Sequence, residues 1–216
     1  MTRISWERLA ATTGVAFVVF YVAAFALGIE VGDSNREILD YYASSGHRAR
    51  EIVAFFLIAG AALALLVFAT ALRSLIARLE QETAMIAALA WAGGIACAVL
   101  VLAGNAASRA TAFAALDDKF QLDPNTRRLF EDTGYLLFVS GALAAILLVV
   151  AVSLAVLRYG LLPRWLGWAG FPAAALLTLA IVFVGFLVFA LWVLAVSVAF
   201  ALRRSPATAT RTAATP

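Results

Sequence analysis

The chain has 216 residues, 64% hydrophobic and 13% charged, with a formal net charge of +3 and a mean hydropathy of +0.97. Soluble domains carry about 25% charged residues, so this composition excludes an ordinary water-soluble globule. The pI near 9.4 does not point to nucleic acid, because the bases sit in short flanks beside apolar runs, which is a topological pattern.

No Asp, Glu, Lys, Arg or His occurs in 9–29, 52–72, 83–108, 133–157 or 165–202. A hydrocarbon core about 30 Å thick takes about 20 apolar residues at 1.5 Å each, so the first four runs match one crossing each. They lack the alternation of a barrel strand, and a helix satisfies its own backbone amides in lipid. The expected fold class is therefore all-α: a polytopic transmembrane helical bundle forming one domain over 1–204.

In chain order, Arg3 and Arg8 precede an apolar run that ends near Ala24-Phe25-Ala26, a small-x-small sequence. The run is longer than a signal-peptide core, so an uncleaved first helix is expected over 9–28. Ser34-Asn35-Arg36-Glu37 has the form of a capping box. It predicts a short amphipathic helix over 35–43 lying on the membrane surface, with Tyr41 and Tyr42 at headgroup depth. Spans are expected over 50–72 and 84–104, the latter containing Gly93-Gly94, a small-residue site for close helix approach. A fourth span is expected over 134–157.

The last run, 165–202, would be about 57 Å long as one helix, more than tilt absorbs. It predicts two helices, 164–183 and 186–203, turning near Val184-Gly185. The rival is five spans, with 163–175 flat or re-entrant around Pro172. Charge bias favours six. With a cytoplasmic N-terminus, the inside then holds nine bases and three acids, net +6, and the outside seven bases and ten acids, net −3. Both termini are then cytoplasmic, and the Ser/Pro/Ala/Thr-rich tail 205–216 is disordered.

Residues 105–120 lack Pro and Gly, and Asp123-Pro124 reads as an N-cap with Pro at the first helical position. Together they predict a hairpin projecting about 22 Å beyond the membrane. Phe113, Leu116 and Phe120 would pack against Leu129 and Phe130, with 119–122 at the tip.

Several chemistries lack their residues. The single histidine, His47, reads as a solvated side chain near a helix start or as an outward pH sensor. Cys97, the only cysteine, forms no intrachain disulfide and no multi-Cys metal site. No ionisable residue lies at mid-span, which argues against a proton pump, a proton-coupled carrier or a voltage sensor. Ser140, Ser153 and Ser197 have no His or Asp at their depth, and each is expected to bond back to its own helix. The acid pairs Asp117-Asp118 and Glu131-Asp132 match no metal motif. No cofactor and no metal is expected.

At Leu162-Pro163-Arg164-Trp165-Leu166-Gly167-Trp168 the chain resembles small multi-pass bacterial membrane proteins of unknown function. These carry an L-P-R-W-L segment before their penultimate helix. The resemblance covers most of the chain, including the outer loop after the third helix and an LWVLAVS-like terminal helix. It implies six helices and brings no activity or site residues.

The candidate ligand site is the outer mouth of the bundle. Asn105, Ser108 and Arg109 stand where the third span leaves the membrane, and Asp132 and Tyr135 where the fourth returns. Tyr21 and Arg50 could share the vestibule, with polar groups above an apolar bundle as in a small-molecule pocket. The alternative pairs Arg109 with Asp132 as an exposed ion pair. Apart from the lipid bilayer, the expected partner is a lipid, a small apolar ligand or another membrane protein. Three functions compete: binding or moving an uncharged or lipid-like molecule, presenting outer loops to a protein partner, and, ranked last, an outer-face enzyme.

Overall fold

A computed structural model of the chain describes residues 6–28, 32, 34–80, 84–117, 119–179 and 184–202. Among them are seven α-helices and no strand: α1 (Trp6–Leu27), α2 (Asn35–Ala43), α3 (Ser45–Ala77), α4 (Met85–Ala114), α5 (Pro124–Tyr159), α6 (Arg164–Leu177) and α7 (Val184–Leu202). Helices α1, α3, α4 and α5, and Gly185–Leu202 within α7, are long and apolar enough to cross a bilayer. Their outward faces carry exposed Val19, Phe56, Leu63, Leu136 and Leu191, a surface suited to lipid rather than water. The protein is an integral membrane protein with a helical transmembrane bundle.

The helices form a ring in which α1 packs on α3, α3 on α4, α4 on α5, α5 on α6, α6 on α7 and α7 on α1. Its centre is filled by Leu65, Phe68 and Leu72 of α3, Leu148 and Val152 of α5, and Val193 and Val196 of α7. Association inside lipid gains little from hydrophobic burial and relies on close contact between small residues. The consecutive glycines show this. A Cβ on Gly93 would lie 2.6 Å from the Leu148 backbone nitrogen of α5, while one on Gly94 would run into Ala69 of α3. Further along the α4–α5 pair, a Cβ on Gly104 would stand 2.7 Å from the Gly134 carbonyl oxygen.

The structure corrects several expectations. Helix α6 ends at Leu177 rather than 183, with a turn at Thr178 and Leu179. Val184 and Gly185 open α7 instead of forming that turn. At 14 residues, α6 is about 21 Å long, short of a full hydrocarbon core. It nevertheless stands alongside its neighbours rather than lying flat: Gly167 meets Leu157 of α5, and Gly170 meets Ser153 of α5 and Trp192 of α7. The spans placed at 50–72, 84–104 and 134–157 belong to longer helices, because helix-compatible sequence continues past the apolar runs. Residues 203–216, including the expected disordered tail, lie outside the described residues.

Helix α2 forms over the expected residues, with both halves of the capping box present. It does not present its tyrosines to lipid. Ile38, Tyr41 and Tyr42 are buried in a small second core with Ala112 of α4 and, partly, Leu122. The extension of the α4–α5 pair offers an apolar surface closer than the bilayer, and α2 docks there. The hairpin also differs from expectation: α4 ends at Ala114, reaching about 15 Å beyond Gly104. Asp123 caps α5, accepting from the backbone of Asn125 and Thr126 at 3.3 and 3.0 Å. The expected apolar seam is not formed, since Leu116, Phe120, Leu129 and Phe130 all remain exposed. The glycine contact at Gly104 and Gly134 sets the rotation of both arms and turns those side chains outward.

Candidate functional site

The end of the bundle bearing α2 and the α4–α5 turn, here the hairpin end, collects the polar side chains. On α3, Glu51 and Phe55 are four residues apart, and on α4 so are Asn105 and Arg109, so each pair shares a face. The two faces meet. The Asn105 Nδ2 donates to the Phe55 carbonyl oxygen at 2.9 Å, and its Oδ1 accepts from Arg109 Nε at 3.1 Å. Arg109 Nη1 donates to Glu51 Oε2 in an ion pair whose side chains are 18% and 14% exposed. From α2, the Tyr41 hydroxyl donates to Glu51 Oε1 at 3.0 Å. Burial raises the Tyr41 phenol above its ordinary pKa, helped by the Glu51 charge and that hydrogen bond.

A second pair lies one face away. Arg127 of α5 pairs with Glu131 four residues on and lies over the Tyr42 ring at 5.9 Å. Burial raises the Glu131 carboxyl; the Arg127 charge opposes this and the Asp132 charge adds to it. Tyr42 is also raised by burial, against the hydrogen bond and charge of Arg127.

Beside these groups is a cavity of about 270 Å³. Ser108, Arg109, Glu131 and Tyr135 supply its polar lining, Phe25, Ile58, Phe138 and Phe186 its apolar lining, and Tyr21 lines it from α1. Phe138 and Phe186 meet edge to face at 6.1 Å, joining α5 to α7. The Ser108 hydroxyl donates to the Gly104 carbonyl of its own helix at 2.9 Å. The site therefore offers hydrogen-bond donors and acceptors beside an apolar wall. No cluster of three or more metal-ligating His, Cys, Asp or Glu occurs among the described residues.

Comparison with protein-family models, with curated proteins and with solved structures finds no match. The site is therefore read from its own geometry. Of the seven residues singled out from the sequence, Tyr21, Ser108, Arg109 and Tyr135 line this cavity. Asn105, 1% exposed, stands behind it and holds Arg109. Asp132 and Arg50 are exposed and are not among its lining residues, which corrects their placement. The alternative Arg109–Asp132 pair gives way to Arg109–Glu51.

Glu51, Glu131 and Tyr41 were missed by sequence reasoning. A signal for the first existed: Glu51 immediately precedes one charge-free run and Arg109 immediately follows the next. Antiparallel neighbours with runs starting and ending at one depth bring such flanking charges together. His47 lies in the first turn of α3, its ring stacked on Tyr41 at 4.4 Å and its Nδ1 3.2 Å from the Tyr41 carbonyl oxygen. It helps clamp α2 to α3 and is half-buried rather than fully solvated.

Proposed function

We propose that this membrane protein binds an uncharged or lipid-like small molecule in the hairpin-end cavity, to hold it or to move it. The observation that carries the reading is the cavity itself, where phenyl rings and Ile58 face Ser108, Arg109, Glu131 and Tyr135. Native mass spectrometry of the chain released from mild detergent tests it. A small molecule should remain bound to wild type and be lost from Ala24→Phe, which fills the cavity from α1, while the unfolding temperature is retained. Equal occupancy in both proteins would overturn the reading.

The same reading takes the chain as lying in a bacterial plasma membrane with both termini cytoplasmic, supported by the +6 and −3 division of charge. Labelling of a cysteine placed at 207 by an impermeant thiol reagent on intact cells would sink that topology. A second reading, a partner protein docking on the hairpin, is favoured by exposed Leu116, Phe120, Leu129 and Phe130 beyond the apolar spans.

A further inference from the structure

We infer that the cavity selects a molecule with an uncharged oxygen acceptor, a ketone, ester or alcohol head on an apolar body, which accepts a hydrogen bond from Arg109 Nη2. The inference rests on the binding reading above and deepens it. Arg109 lines the cavity and is held at two corners, Nε by Asn105 and Nη1 by Glu51. A guanidinium is a rigid planar fork, so fixing two nitrogens fixes the third. Among the described residues Nη2 has no acceptor, and Arg109 is a cavity wall, so this donor is left for whatever occupies the space.

The charges around it decide what that occupant is. Glu51 neutralises Arg109, and Arg127 neutralises Glu131. Among the described residues an anionic head would gain no unpaired cation, and it would approach the Glu131 carboxylate on the cavity wall. A cationic head would meet the Arg109 guanidinium on the cavity wall, and the one lining carboxylate, Glu131, is already paired with Arg127. Each would lose hydration without compensation. A neutral oxygen meets neither cost and satisfies the remaining N–H donor. The opposite wall, Phe25, Ile58, Phe138 and Phe186, receives the apolar body. The volume of about 270 Å³ corresponds to roughly nine atoms of water size, enough for the head and a short apolar segment.

Chain-matched probes test this on the full chain in mild detergent: decane, 2-decanone, decanoate and decylamine, with affinities read by native mass spectrometry. The ketone should bind about tenfold more tightly than decane, and more tightly than either charged probe. Arg109→Met alone would strand Glu51, so the informative variant is the double substitution Glu51→Gln with Arg109→Met. There the ketone advantage over decane should fall to within about twofold while decane binding persists.

A measurement on wild type guards against misfolding of that variant. The infrared carbonyl stretch of 13C-labelled 2-decanone should move to lower frequency when bound. A stretch unchanged from detergent alone, a ketone advantage intact in the double variant, or decanoate as the tightest probe overturns the inference and leaves the binding reading standing. If no probe binds wild type and Ala24→Phe behaves identically, the binding reading itself fails.

Discussion

The bundle is held together in two different ways along its length. Through the apolar stretch its contacts are glycine against backbone: Gly93 against Leu148, and Gly104 against Gly134. Around its hairpin end the contacts are charged and polar: Glu51 with Arg109, Arg127 with Glu131, and Tyr41 closing over Glu51. The change follows the surroundings. In lipid, helices gain little by hiding apolar side chains from an apolar solvent, so van der Waals contact at short range decides the packing. Near water, side chains that are partly buried need partners, and ion pairs with hydrogen bonds supply them.

The largest expected effect tests the first half of that contrast. A Cβ at Gly134 would meet the Gly104 carbonyl oxygen at 2.6 Å and the Ser108 backbone nitrogen at 2.7 Å, and neither backbone atom can swing aside. Gly134→Val should therefore cost about 3 kcal/mol, the upper range for overpacking, in an unfolding titration in detergent. Gly46 in the first turn of α3 is the control, since a Cβ there meets only Ser44 Oγ at 3.7 Å. Gly46→Ala should gain about 0.5 kcal/mol from helix propensity. Equal effects at the two positions would break the contrast between packed and open glycines.

The smallest expected effect sharpens the second half. Because burial raises the Glu131 carboxyl above its ordinary value of 4.5, the folded state binds its proton more tightly than the unfolded one. Its stability contribution is then fully present below about pH 4.5 and is lost as pH rises through the raised folded value. Asp123 has the opposite sign: hydrogen bonds from Thr126 and Asn125 lower its carboxyl below 3.8, so its contribution is present above that value and lost on acidification. Glu131 is 49% exposed, so its share should stay under about 1 kcal/mol. Unfolding midpoints measured from about pH 4 to 7 should fall less, or rise more, with pH in Glu131→Gln than in wild type. An unchanged profile would remove Glu131 from the response.

Much of the helical layout was legible from local signals, and the errors have a common origin. Ser34 and Glu37 announced α2, and Asp123-Pro124 announced the start of α5, because a cap is built from residues within one turn. The expected headgroup placement of Tyr41 and Tyr42 gave way to burial beside Ala112, because an amphipathic face specifies that it will be buried but not against what. The hairpin seam failed for a related reason: Phe113, Leu116 and Phe120 share a face, but the Gly104–Gly134 contact fixes which faces of the two helices meet. Four of the seven suggested site residues line one cavity, and Asn105 supports it from behind. Asp132 and Arg50 do not, since depth along a helix says nothing of direction around it.

The sequence by itself determined the solvent and the secondary structure. Charge-free runs of about 20 residues or more belong in lipid, and lipid requires the helix to satisfy its own backbone. Only the tertiary structure decided the ring order, the partner each glycine touches, and the pairing of Arg109 with Glu51 rather than Asp132. Those outcomes depend on the relative depth and rotation of helices far apart in sequence. A periodic pattern fixes the faces of one helix, while the meeting of two faces is fixed by close packing across the bundle.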